Sequence, residues 1–249
     1  MKLHHLLAAL CILALVSCQK EVEVNLNSGK AELHFTNVVG TQPVSFNTPY
    51  FTHQGEDFTV TKFKYYVSNI ALVDSAGQNH RIKDSYYLVD QENPASLSIS
   101  LQTDEAHYKG IQFLIGVDSL RNVSGAQTGA LDPTMDMFWT WNTGYIMAKM
   151  EGTSSRSTLP NNRLEYHIGG FQGTEKALRT VYLPFGQNYS ITSGKALSIN
   201  IRADILTWFD GAFNLPLSVY PTCTSPGLLA SHYADNYANM FSITSLQAQ

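Results

Sequence analysis

The sequence predicts an all-β fold, an antiparallel β-sandwich with a short C-terminal helix. Three observations predict it. Apolar and polar residues alternate in short runs, as in "KAELHFTNVV", where Leu33 and Phe35 share one face and Glu32, His34 and Thr36 the other. Runs of this kind recur at a spacing of roughly 10–15 residues, split by Gly, Pro and Asn turn signals. Only the tail "PGLLASHYADNYANMFSI" carries residues at helical spacing, namely Leu228, Leu229, His232, Tyr233, Asn236, Tyr237 and Met240.

In chain order, "KAELHFTNVV" is the first strand. "DFTVTKFKYYVSNIAL" is a long β-branched and aromatic stretch that makes one or two strands, and "DSAGQNHRI" turns at Gly77. "SYYLVD", "SLSISL" and "YKGIQFLIGV" are short strands separated by Asn-Pro and Lys-Gly signals. "LRNVSGAQTGALDPTMD" reads as a long loop. "FWTWNTGYIMAKMEG", "LEYHIGG", "TVYLPF" and "ALSINIRADIL" complete the strands, and a helix follows Pro226. No internal repeat is visible, which argues against a solenoid or a propeller.

The N-terminus stands apart from this pattern. "MKLHHLLAALCILALVSC" has a basic start and an apolar run from Leu6 to Val16, too short to span a bilayer as a helix. It closes on Leu15-Val16-Ser17-Cys18, which resembles the lipobox of bacterial lipoproteins. The resemblance implies a signal peptide over 1–17, cleavage before Cys18 and a lipid on its sulfur. Each buried methylene of such a lipid contributes about 0.8 kcal/mol, and two or three chains anchor stably. The polar stretch that follows, 18–30, reads as a tether. The remainder, 31–249, reads as a single β domain.

Composition narrows the function classes. The chain has 16 Lys and Arg against 20 Asp and Glu, a net charge of −4, with no basic block, so nucleic acid is not an expected partner. Charged residues are 14% and aromatics 11%, the balance of a folded globule rather than a disordered chain. Of the three cysteines, Cys11 lies in the signal segment and Cys18 is the lipidation site, so Cys223 is left alone. One thiol supports neither a disulfide framework nor a thiolate metal cluster.

No nucleophile elbow, P-loop, dinucleotide fingerprint or HExxH motif occurs, which weighs against a hydrolase. His53, His80 and His107 sit in turn-like polar sequence and read as solvated. His34 and His167 each lie between apolar neighbours in an alternating strand and so face away from them. Such residues either face solvent on a half-exposed sheet or line a shared polar pocket, where neutral imidazoles can bind copper or zinc. Trp139 and Trp141, two apart in "MFWTWNTGY", share a face if the segment is a strand. They are then core, or one indole is presented to a ligand.

Several segments together resemble the MbnP-like family of copper-binding periplasmic proteins and lipoproteins. They are "LHFTNVVG", "TVTKFKYYVSNIAL", "YKGIQFLIGVDSLRN", "GALDPTMDMFWTWNTGYIMAKMEG", "LEYHIGG" and "ADNYANMFSI", covering about 31 to 243 in order. The resemblance implies a mononuclear copper site with His34 and His167 as ligands and His232 as a third. It further implies that Trp139 or Trp141 lies beside the metal, oxidised to kynurenine by a partner di-haem peroxidase. An indole N–H only donates, whereas kynurenine's amine and carbonyl offer lone pairs, and imidazoles with such a group suit Cu(II).

The expected protein is therefore a non-enzymatic lipoprotein of the Gram-negative envelope, facing the periplasm or the cell surface. It handles copper or serves as substrate of a haem peroxidase. The alternative is a structural or interaction lipoprotein that binds a protein or glycan partner without metal; a redox enzyme is a more remote third reading. Whether His34 and His167 converge separates the first two.

Overall fold

The computed structural model describes residues 28–125, 127–142 and 144–249. The signal segment, Cys18 and residues 19–27 of the tether lie outside the described residues. Ser28, Gly29 and Lys30, expected in the tether, already pair with Asp104, Thr103 and Gln102 as the start of the first strand.

The chain folds as an all-β sandwich with one helix near its C-terminus, as expected. One sheet is built on β1 (Ser28–Val39), which also pairs with the short β2 (Gln42–Pro43). The second sheet is organised by the long β4 (Asp57–Asp74), which holds β3 (Tyr50–Phe51), β5 (Asn79–Arg81) and β6 (Tyr86–Asp90). β7 (Ser98–Asp104) returns to the first sheet beside β1, and β8 (Ala106–Ile115) returns to the second beside β4. A four-residue helix α1 (Ser119–Asn122) and two 3₁₀ turns then occupy part of the stretch read as a long loop.

β9 (Phe138–Trp139) folds back on β10 (Gly144–Thr153), which lies between β4 and β11 (Arg163–Gly169). β12 (Arg179–Ile191) closes one edge of this sheet on β8, and β13 (Ala196–Asp204) joins β1 in the other sheet. β14 (Thr222–Cys223), helix α2 (Leu228–Tyr237) and β15 (Phe241–Ala248) complete the chain. The second sheet thus runs β12-β8-β4-β10-β11-β14. Most pairings are antiparallel. β1–β13 and β11–β14 run parallel, and each joins strands far apart in the chain, as a parallel pair requires.

The alternation read in the sequence decides which faces meet. Ala31, Leu33 and Phe35 of β1 are buried, while Glu32 and His34 turn outward. Phe35 meets Tyr65 of β4 edge-on at 6.1 Å. Phe241 at the start of β15 meets Tyr65 at 5.5 Å and Phe113 of β8 at 5.1 Å, also edge-on. These contacts bridge the inner faces, and edge-to-face pairs add about 0.5–1.5 kcal/mol each beyond area burial.

Helix α2 closes one end of the core. Tyr233 and Tyr237 are fully buried, and Trp208 lies 5.4 Å from Tyr237. Asn236, also fully buried, donates to the Trp208 and Phe213 carbonyls and accepts from the Phe213 amide, so none of its polar atoms is orphaned. The chain does not end on this helix. β15 follows it and pairs antiparallel with β13 from Leu197↔Ala248 to Ala203↔Phe241.

Candidate functional site

β10 and β11 carry the two densest motifs of the sequence, and their outer face is the most heavily charged surface they share. His167 lies opposite Lys149 in the β10–β11 register, and Lys149 lies opposite Lys64 in β4. Residues two apart in a strand share a face, so Lys149 and Glu151 flank His167 there. His167 Nε2 is 2.9 Å from Glu151 Oε1. Lys62 lies 3.7 Å from Glu151 and 2.8 Å from Asp136, and Lys149 lies 3.0 Å from Asp136.

The cluster is electrostatically closed. The His167 hydrogen bond holds the Glu151 carboxyl below its usual range, against burial. Burial pushes Asp136 up, but hydrogen bonds from Lys62 and Lys149 outweigh it and hold the carboxyl low. Burial lowers Lys149, which is only 2% exposed, although Asp136 partly restores its charge.

Further along the same face stands the tryptophan pair. Gly169 is two residues beyond His167 in β11. A Cβ placed on Gly169 would meet the Trp139 ring at 2.5 Å, so the indole occupies the space a side chain would take. Trp139 and His167 therefore share one face, about one two-residue strand repeat, or 6–7 Å, apart along β11. Trp139 is 6% exposed and Trp141 64%. Their rings lie 5.5 Å apart, tilted by 44°. The strand β9 ends at Trp139, so Trp141 stands in the turn and is the presented indole of the pair.

Beside Trp139 opens a cleft of about 240 Å³. Tyr145, Phe171 and Pro226 give further apolar walls, and Asn142 and Gln172 bring carboxamides. Gly144 and Gly170 complete the lining, which contains no charged residue among the described residues. Gly170 has φ +117°, and the loop after β11 turns there toward Phe171. The walls are pinned from behind. The Ser119 hydroxyl donates to the Phe171 carbonyl at 2.9 Å, and Asn122 Oδ1 accepts from the Tyr145 amide at 3.0 Å. The Tyr145 hydroxyl donates to the Leu131 carbonyl at 2.6 Å. The "GALDP" segment and α1 thus buttress the cleft.

The three histidines expected to bind copper do not meet. His34 faces outward from the five-stranded sheet, with Nδ1 3.0 Å from Ser98 Oγ. His167 faces outward from the ten-stranded sheet and is engaged by Glu151. His232 on α2 stacks on Phe213 at 3.7 Å and 16°. Ligands of one ion must lie within about 4 Å of each other. Histidines on the outer faces of opposite sheets cannot satisfy this, so the set His34, His167 and His232 does not fit one mononuclear copper ion. Among the described residues no group of three or more His, Cys, Asp or Glu is placed to hold a metal. Cys18 lies outside the described residues.

Sequence reasoning missed two features. His80, read as a solvated turn residue, sits in β5 with Nε2 3.0 Å from Asp74 and Nδ1 3.4 Å from Asp104. Asp104 lies 24 residues on, beyond any local spacing signal. Asp118, at the N-terminus of α1, caps that helix. It also accepts from Asn69 at 3.0 Å and from the Tyr86 hydroxyl.

The MbnP family model matches residues 28–225. Among solved structures, MbnP from Methylosinus trichosporium is similar over 89% of this chain and 99% of that chain, with a TM-score of 0.55 at 15% identity. At that identity the likeness is one of fold. No curated protein matches the chain. The family match spans most of both sheets and every segment that builds the cleft apart from Pro226; the chain belongs to the MbnP family.

Proposed function

We propose that this chain is a non-enzymatic binding protein, lipid-anchored through Cys18 in the Gram-negative envelope and facing the periplasm or the cell surface. Its ligand site is the Trp139–Trp141 cleft. The observation that carries the proposal is the exposed indole of Trp141 set against buried Trp139 at an uncharged, buttressed cleft. A preformed concave site with aromatic walls and a few polar groups is the usual form of a binding site. The Tyr145 hydroxyl, the acid–base group of the lining, is committed to the Leu131 carbonyl, which favours binding over catalysis.

Copper is the second reading, and one observation favours it: Trp139 and His167 share a sheet face. On that reading His167 is the protein ligand, an oxidised Trp139 or Trp141 stands beside it, and a di-haem peroxidase is the partner. Bound copper would supply a soft, redox-active centre for metal handling.

One preparation separates the two. Protein isolated from its native envelope is analysed for metal and for the mass of the tryptic peptide 122–149, which carries both indoles. The expected result is unmodified tryptophan, and copper far below one per chain that does not change in His167→Ala. One copper per chain, with a peptide that has gained an oxygen and lost a carbon, would replace the cleft reading with the copper reading.

A further inference from the structure

We infer that the cleft beside Trp139 takes one hexopyranose ring of a neutral glycan, with the next sugar lying across Trp141. The inference rests on the cleft being the ligand site and names its ligand class. Three features of the lining select that class.

The first is charge. No charged residue lines the cleft among the described residues, so an ionic ligand would be desolvated there without a counter-charge. The ligand is neutral. The second is the mixture of surfaces. Phe171 offers a partly exposed aromatic ring, backed by the buried rings of Trp139 and Tyr145 in the lining, and this suits a ring with an apolar C–H face. Asn142 and Gln172 form no side-chain hydrogen bond among the described residues and face the same space. A carboxamide both donates and accepts, as does a hydroxyl, so two free amides match the hydroxyl edge of a sugar. A wholly apolar ligand would offer these amides no hydrogen-bond partner.

The third is size. A volume of about 240 Å³ falls just below the roughly 300 Å³ at which drug-sized sites begin, enough for one ring. The cleft is open rather than closed, and exposed Trp141 extends its aromatic surface outward. A chain of sugars can therefore continue past the rim. The backbone contacts behind Phe171 and Tyr145 fix these walls before the ligand arrives, which lowers the ordering cost of binding.

The test titrates the full chain with cellohexaose, laminarihexaose and β-1,4-mannohexaose, with an oligogalacturonate as the acidic control. Binding is read by indole fluorescence and by calorimetry. Trp141→Ala and Gln172→Ala are the variants, since both side chains are exposed and neither supports the core. The expected result is saturable binding of at least one neutral hexaose, weakened about tenfold by Trp141→Ala and less by Gln172→Ala, with thermal midpoints unchanged.

Neutral binding that neither variant moves overturns the inference and the cleft reading together. Failure of all three neutral hexaoses, or tighter binding of the acidic one, overturns the glycan class. The cleft reading is then judged by the separate metal and peptide-mass analysis.

Discussion

Gly169 holds Trp139 where a side chain would stand, and this contact joins the tryptophan motif to the histidine strand. An alanine there would bring its Cβ to 2.5 Å from the indole and 3.0 Å from the Tyr145 carbonyl. The ring or the β10–β11 pairing must then move, and overpacking of this kind costs about 1–3 kcal/mol. Gly169→Ala is therefore expected to lower stability by that amount in urea and to change the near-ultraviolet dichroism of Trp139. A variant as stable as the parent with an unchanged spectrum would mean that the ring does not lie over Gly169. At this scale the sequence was informative about direction and silent about distance. Alternation correctly turned His34 and His167 away from their apolar neighbours, but it could not say that they belong to different sheets.

The strand pairs at one end of the sandwich are tied by a histidine. His80 of β5 joins Asp74 at the end of β4 to Asp104 at the end of β7, which belongs to the other sheet. The Asp74 hydrogen bond raises the His80 imidazole above its ordinary 6.5, with burial opposing and Asp104 adding to it. The same bond holds Asp74 below its ordinary 3.8. A raised histidine contributes stability that is complete below 6.5 and is lost as pH rises through its folded value. A depressed aspartate contributes stability that is complete above 3.8 and is lost as pH falls through its folded value.

The clamp is thus strongest between those two values. His80→Gln is expected to reduce the urea midpoint at about pH 5.5, with the gap to the parent closing by about pH 8.5. A gap that is constant or wider at alkaline pH would rule out the charged clamp. Elements were legible in the sequence where they were long and periodic, as with β1, β4 and α2. β5 was not, because three residues around His80 carry no period. β15 was not, because "SITSLQA" pairs as an outer strand of its sheet and shows solvent mostly polar side chains.

Across the whole molecule, the stretch matched by the family ends before the sandwich is complete. Residues 226–249 supply α2 and β15, which bring Tyr233, Tyr237 and Phe241 into the shared core. Phe241 touches Phe35 from its own sheet and Tyr65 and Phe113 from the other. β15 also covers the edge of β13, whose backbone groups would otherwise be open to pairing with another chain. Removing a buried aromatic costs about 3–5 kcal/mol, and three such losses match the roughly 5–15 kcal/mol by which domains are stable. A piece spanning 28–225 is therefore expected to lack a cooperative unfolding transition and to lose near-ultraviolet dichroism. The 28–249 piece should unfold in one step, and Phe241→Ala alone should weaken it by about 3–5 kcal/mol. If 28–225 instead unfolds sharply with an intact aromatic signal, the core closes without its last strand, and β15 serves only to cover the edge of β13.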